Sequence, residues 1–377
     1  MKILNVVQSV DEKTGGGATE RARQLSLHLS RIGHDVTLLT TNCILSSSSA
    51  KSLSNLKLVP LPCFNKRFYA PWPLICKVNK LIKESDVVHL FSHWVLINVI
   101  VYLLVKINKK PYVVSPLGAL PIFGRSEFLK RIYNFVIGKK MIQNANYSIV
   151  ATLNELQALK LYNVDKKNVI HIPNGINEDD YKIKNDNSFK ARLGLDNHPY
   201  VLFIGRLNPI KGPDLILEAF CNIKDIHPNL HLAYIGPNEG MLDNLIKITR
   251  EHAVTDRVHF CGYVSREDKA RIIQSSQFLI IPSRQEAMSI VVLEAGICGK
   301  PVLITDQCGF DEIEHLGGGL VVSADIAGLS QGINNMLNQK ENFLLMGTNL
   351  QKSVRQKYLW SIVADRHVTI FNTFNNS

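Results

Sequence analysis

Short apolar runs and amphipathic stretches alternate along most of the 377-residue chain. The first run, Ile3-Leu4-Asn5-Val6-Val7 within residues 2–8, has the composition of a buried strand. A glycine-rich loop, Gly15-Gly16-Gly17, follows it. Apolar positions at helical spacing then predict a helix of about 12 residues ending near Arg31. Gly33 is a helix stop, and residues 35–40 (DVTLLT) read as the next strand. Residues 86–90 and 112–114 are further short strands with helical stretches between them. Alternation of this kind predicts a parallel sheet covered on both faces.

After a run at 168–172, the turn signal Pro173-Asn174-Gly175 closes this first series, and the polar residues 177–187 read as a linker. The pattern restarts at 200–205, with strands expected at 231–235, 257–260, 278–281 and 301–305. The fold class is therefore α/β, with two doubly wound, Rossmann-like domains in tandem. Residues 1–175 and 176–360 are the expected domains. The stretch 361–377 is a last helix that either ends the second domain or crosses back to the first. Ligands of such sheets bind at the carboxyl ends of the strands, here expected in a cleft that the two domains face.

Composition narrows the class. Apolar residues make up 46% and charged residues 20%, the balance of a folded rather than a disordered chain. Residues 94–105 are the longest apolar stretch, but they contain Asn98 and end at Lys106. A membrane span needs roughly 20 apolar residues, so a core helix is expected there. Met1-Lys2 leads directly into the first strand, so a cytoplasmic location without a secretory leader is expected. The seven cysteines include no CxxC pair, which predicts free thiols and neither a disulfide framework nor a zinc site. The net charge of +11 is uneven: residues 1–175 carry 23 Lys and Arg against 9 Asp and Glu, and residues 176–377 carry 20 against 23. A basic first half suits anionic lipid, a phosphorylated acceptor or nucleic acid.

The glycine loop suits the approach of an anion to backbone amides at a helix N-terminus, although a plain tight turn explains it equally. It is not a dinucleotide fingerprint, because GxGxxG needs glycine where Glu20 stands. The second half carries more. Strand 200–205 ends in Gly205, and Arg206 and Lys211 follow before a helix near Pro213. Cations at the carboxyl edge of a parallel strand can grip a diphosphate; solvated surface charges are the ordinary alternative. No GxxxxGK[ST] phosphate loop occurs. In QEAMSIVVLEA, Glu286 and Glu294 stand eight residues apart, about 12 Å along an axis if the stretch is wholly helical. That reach suits one carboxylate at a sugar and the other at a ribose. Ser289 is a candidate N-cap, and the amides of Ala287, Met288, Ser289 and Ile290 lie between the carboxylates, suited to a diphosphate. Glu294 has apolar neighbours, where an unpaired carboxylate is costly, so a structural hydrogen bond is its other explanation.

GRLNPIKG, then E-x7-E, then GKPVLITD, together with the glycine loop, IPNGI at 172–176 and Trp360, resemble glycosyltransferase family 4 along nearly the whole chain. Within that family it looks like the bacterial surface-polysaccharide type. The resemblance implies the GT-B fold and a retaining transferase that uses a nucleotide-diphosphate sugar as substrate, with no cofactor and no metal; no DxD occurs. It implies that Arg206 and Lys211 bind the diphosphate and stabilise its departing charge. Glu286 would hold the transferred sugar and Glu294 the ribose. Gly16 and Gly17 would lie near the diphosphate and acceptor, and the stretch from Gly262 to Val264 would read the base through its backbone. Attack from the face the diphosphate leaves would need no protein base. Two departures stand out: Leu117 where relatives often carry His or Arg, and Ala287-Met288 where they show glycine and phenylalanine.

His93, beside Trp94, is a candidate acceptor contact, although a lone histidine is more often structural. Arg125, Lys130, Arg131, Lys139 and Lys140 share a helical stretch with Phe128, Ile132, Tyr133, Phe135 and Val136. Such a basic amphipathic helix suits peripheral contact with an anionic inner membrane face, or else it covers a core stripe. The acceptor expected from this is a saccharide, free or polyprenyl-diphosphate-linked. A nucleotide-sugar epimerase and a non-catalytic or nucleic-acid-binding protein are the competing readings; no nucleic-acid motif supports the last.

Overall fold

The structure is a computed structural model that describes residues 1–11, 16–42, 53, 55–65, 70–72, 74–122, 126–152, 155–182, 188–195, 198–286 and 288–374. The chain forms two compact units, one of residues 1–175 with 360–377 and one of residues 176–359. It enters and leaves the second unit side by side: Ile176 pairs with Leu359 in an isolated parallel bridge, and the Ile176 amide donates to the Tyr358 carbonyl at 2.7 Å.

In the first unit, strands β1 (Lys2–Val6), β2 (Asp35–Thr41), β3 (Lys57–Leu61), β6 (Val87–Phe91), β7 (Tyr112–Ser115), β8 (Tyr147–Val150) and β9 (Val169–His171) form one sheet. Its order is β3-β2-β1-β6-β7-β8-β9, and every pairing is parallel. Most strand residues are buried, which is why these runs are continuously apolar rather than alternating. A small antiparallel hairpin, β4 (Cys63–Asn65) and β5 (Ala70–Pro71), stands apart from the sheet.

The helix Gly16–Arg31 buries Ala22, Leu25 and Leu29 on one face and ends before Gly33, whose φ of 93° is left-handed. The apolar stretch after Trp94 forms the helix Leu96–Asn108, with Ile97, Val101 and Val105 in the core. The last helix, Trp360–Asn372, returns to the first unit, where Trp360 stacks on His28 and Val363, Ala364 and Phe371 are buried. Cys76, Cys221, Cys261, Cys298 and Cys308 are free, but Cys63 is disulfide-bonded, which corrects the expectation of free thiols throughout. Among the described residues no helix is long and apolar enough to cross a membrane.

In the second unit, β10 (Tyr200–Ile204), β11 (His231–Ile235), β12 (Val258–Phe260), β13 (Leu279–Ile281), β14 (Val302–Thr305) and β15 (Gly319–Val322) form an all-parallel sheet. Its order is β12-β11-β10-β13-β14-β15. The direction of winding reverses between β10 and β13, and a crevice for ligands opens beyond the carboxyl ends of strands at such a point.

Candidate functional site

The loops that follow β10 and β13 carry most of the residues singled out in the sequence. After β10, the Asn208 side chain accepts from the Lys211 amide at 3.1 Å and caps the short turn Pro209–Lys211. Gly212 closes that turn with φ 64°, and a Cβ there would run into the Pro282 carbonyl. The Arg284 amide donates to the Ile210 carbonyl at 2.8 Å, so the two loops are tied by backbone as well. This close approach sets Lys211 Nζ 2.6 Å from Glu286 Oε1, with both side chains largely buried. Glu286 Oε2 accepts from the Ser283 hydroxyl at 3.0 Å, and its amide donates to the Gln307 carbonyl at 2.9 Å.

Arg206 does not join that pair. It is exposed, and its Nη1 donates to both Glu239 oxygens at 3.0 and 3.1 Å. Asn208 Nδ2 donates to the same carboxylate at 2.8 Å, and these contacts, Asn208 first, hold Glu239 below the usual carboxylate range. The loop after β11 reaches this place because Leu207 pairs with Asn238, and because Gly236 lets the backbone pass against Gly205.

The segment between the two glutamates is not wholly helical, which corrects the 12 Å estimate made for a continuous helix. The helix is Ile290–Ile297, so Glu286 lies in the preceding loop and only Glu294 is helical. Ala287 lies outside the described residues, and Met288 is buried. Ser289 occupies the N-cap position, yet its hydroxyl makes no cap bond and its amide donates to the Cys308 carbonyl at 3.2 Å. That removes one of the amides expected to be free and leaves a buried Oγ with no partner among the described residues. The first-turn amides of Ile290, Val291 and Val292 have no partner within the helix. Glu294 is nearly buried; Lys269 Nζ lies 2.6 Å and the Tyr181 hydroxyl 2.9 Å from its Oε1. Burial, and then Glu294, pushes the neighbouring Cys298 thiol up to about 12. Val264 follows β12 past Gly262, whose carbonyl accepts from the Gly236 amide at 2.9 Å.

In the first unit Gly16 and Gly17 open the helix after β1. A Cβ on either would meet no atom within 4 Å, and only Gly16, with φ 66°, needs glycine for its backbone. His93, the candidate acceptor contact, is enclosed. Its ring is fully buried, Nε2 lies 2.8 Å from Asn134 Oδ1, and burial pushes its pKa down to about 4. Leu117 has a left-handed φ of 55°, and the next amide, Gly118, donates to buried Glu155 at 3.0 Å. The basic stretch departs from a core stripe: Phe128, Ile132, Phe135 and Val136 are exposed, and only Tyr133 of the expected five packs inward. Arg125 lies outside the described residues. Among the described residues no three His, Cys, Asp or Glu side chains gather as a metal site.

Sequence reasoning missed Asn208, Glu239, Lys269 and Tyr181. Asn208 had a signal, an asparagine directly before proline at a turn. The other three act across long sequence separations and had none.

The sequence model described as "Glycosyltransferase Family 4" matches residues 15–180, and that described as "Glycosyl transferases group 1" matches residues 185–353. A D-inositol 3-phosphate glycosyltransferase of Mycobacterium sp. (strain JLS) is 28% identical over 205 residues, 53% of this chain and 47% of that protein. The chain thus spans about half the length of such relatives. A glycosyltransferase of Methanocaldococcus jannaschii is 25% identical over 393 residues, 98% of both chains. Among solved structures, Anabaena Alr3699/HepE in complex with UDP-glucose superposes with a TM-score of 0.80 at 20% identity, covering 99% of this chain and 100% of that one.

Proposed function

We propose that this chain, matched by the family 4 and group 1 glycosyltransferase models, moves a sugar, most simply a hexose, from a nucleotide-diphosphate donor to a saccharide or lipid-linked saccharide, retaining the donor's configuration. The observation that carries this reading is the 2.6 Å contact between Lys211 and Glu286 at the point where the second sheet reverses. An ammonium and a carboxylate held side by side suit the two ends of one bond about to break. Lys211 faces the departing diphosphate, and Glu286 holds hydroxyls of the sugar. The buried Ser289 hydroxyl and the amides of Ile290–Val292 supply further donors for phosphate oxygens. Arg206, exposed beside Glu239, turns to the diphosphate when the donor arrives, and Glu294 takes the ribose. The backbone from Gly262 to Val264 takes the base. Lys211 and Arg206 provide the positive charge that a metal ion provides in other phosphate chemistry. Attack from the face the diphosphate leaves needs no protein base, in keeping with the buried, acid-shifted His93.

For the acceptor, the first unit offers an apolar hollow of about 270 Å³ lined by Leu120, Ile122, Lys139, Ala158, Leu161 and Tyr162. Beside it in sequence lie the exposed Phe128, Phe135 and Val136 among basic residues. This chemistry supports a lipid-linked acceptor at an anionic cytoplasmic membrane face, as in cell-surface polysaccharide synthesis. UDP-glucose, held by the Anabaena protein, is the first donor to try. Nucleoside diphosphate should be released only when an acceptor is present, which an epimerase would not do. The double variant Arg206→Ala/Lys211→Ala should lose at least about a hundredfold in that release. Turnover retained by the double variant would refute the donor site.

A further inference from the structure

Glu294 is held by residues for which donor binding, as read above, has no use. It lies on the helix Ile290–Ile297 and is 7% exposed. Lys269, on the helix Arg266–Ser275, places Nζ 2.6 Å from Oε1, and the Tyr181 hydroxyl donates to that same oxygen at 2.9 Å. Tyr181 is fixed in turn. Gln274 Nε2 donates to its carbonyl at 3.0 Å, and Arg266 Nη1 donates to the adjacent Asp180 at 3.0 Å. One helix thus grips the carboxylate and also steadies the turn that carries its second donor.

An ionised carboxylate accepts about four hydrogen bonds, roughly two at each oxygen. Oε1 already receives two, whereas no described residue engages Oε2. We propose that Lys269 and Tyr181 form a clamp that occupies Oε1 and reserves Oε2 for a pair of vicinal hydroxyls, so that the site selects ribonucleotides over 2′-deoxyribonucleotides. The clamp rests on the reading of Glu294 as the ribose carboxylate. Its logic is that of a buried charge. The ammonium pairs with the carboxylate and holds it in one orientation among its apolar neighbours. A diol then fills both remaining acceptor positions, while a 2′-deoxy sugar fills one and leaves a desolvated anion short of a donor. Lys269 is a positioning residue in this scheme, since it acts on the nucleotide through Glu294.

Calorimetric titration with UDP and GDP, each beside its 2′-deoxy counterpart, tests the clamp. The wild-type protein should favour the ribo form by roughly tenfold or more. Lys269→Met should erase most of that preference and raise the donor KM more than it lowers kcat, and Lys269→Arg should restore both. A salt bridge that only joined two helices would change stability and leave the ribo-to-deoxy ratio alone. Should Lys269→Met fail to fold, Tyr181→Phe removes just the second donor to Oε1 and carries the same comparison. If Glu294→Gln erases the preference while Lys269→Met and Tyr181→Phe keep it, the clamp is wrong and the ribose carboxylate stands. A preference that survives Glu294→Gln, or a wild-type protein that binds none of the four nucleotides, overturns the ribose reading and the clamp with it.

Discussion

Gly212 ties the positions of Lys211 and Glu286 to a single missing side chain. Its φ of 64° is costly for any other residue, and a Cβ there would meet the Pro282 carbonyl at the end of β13. The loops after β10 and β13 can therefore approach only with glycine at this position. Gly212→Ala should destabilise the second unit by about 2 kcal/mol, the usual scale for a strained left-handed residue. It should also reduce activity more than stability, because Lys211 moves away from Glu286. Urea unfolding and kcat measured on one preparation check both; an unchanged midpoint would show that the backbone yields without strain. Arg206, Lys211, Glu286 and Glu294 were legible in the sequence because charge follows a buried strand or interrupts an apolar run. Their partners were not. Glu239 lies 33 residues from Arg206, Lys269 25 from Glu294, and Tyr181 113 from Glu294. Only the folded sheet order brings such pairs together. Ser289 shows the converse, a residue legible as a cap whose hydroxyl proves to be buried with no partner among the described residues.

Among elements, the stretch Glu127–Gln143 departs furthest from its pattern. It is a short α-helix, Glu127–Tyr133, a wide π-helical turn, Asn134–Gly138, and a second short helix, Lys139–Gln143. The Tyr133 ring lies where a side chain on Gly138 would stand, and its hydroxyl donates to the His93 carbonyl at 2.7 Å. With Tyr133 turned inward, Phe128 and Phe135 stay outside, 74% and 90% exposed. Helical periodicity cannot reveal the placement of Phe135 and Val136, because the π turn shifts the phase of every residue after Tyr133. Strands fared better where the run was apolar and bounded: residues 231–235 are β11 to the residue. β3, interrupted by Pro60, was too broken to stand out, and β8 and β15 were also missed, although strands as short were read elsewhere. The exposed phenylalanines among Arg131, Lys139 and Lys140 suit insertion at an anionic surface, where each basic residue contributes about 1 kcal/mol. Vesicles rich in anionic lipid should carry the protein in flotation and release it in high salt. Phe128→Ser/Phe135→Ser should weaken that partition roughly tenfold. Equal binding to neutral vesicles would remove the membrane from the account.

At the scale of the whole molecule, the two units differ in what acid does to them. Three of the buried imidazoles of the first unit resist protonation. Burial pushes His367 down to about 3 and His93 to about 4, and burial, then His367 and Arg21, holds His89 well below the usual histidine range. An unfolded histidine titrates near pH 6.5, so below that pH the unfolded chain binds protons that the folded chain refuses. The stabilisation is complete above about pH 6.5 and is lost as pH falls toward 4, by about 1.4 kcal/mol per pH unit for each such histidine. Glu155 works the other way. Burial raises its carboxyl, so it contributes below its unfolded value and offsets part of one histidine's loss. In the second unit burial pushes His231 down to about 4 and also lowers His259; these are two groups rather than three, so the same trend should be shallower there. The chain provides a probe for the difference. Its three tryptophans, Trp72, Trp94 and Trp360, all belong to the first unit, so their fluorescence reports that unit alone. Between pH 7.5 and 5, urea midpoints followed by tryptophan fluorescence should stay level down to about pH 6.5 and then fall steeply, while circular dichroism should retain a later transition from the second unit. His93→Gln should flatten the fluorescence trend by about a third to a half of its slope, as expected when one of three similar groups, partly offset by Glu155, is removed. A fluorescence midpoint that stays constant over that range would mean that these imidazoles take up protons as readily in the folded protein as in the unfolded one.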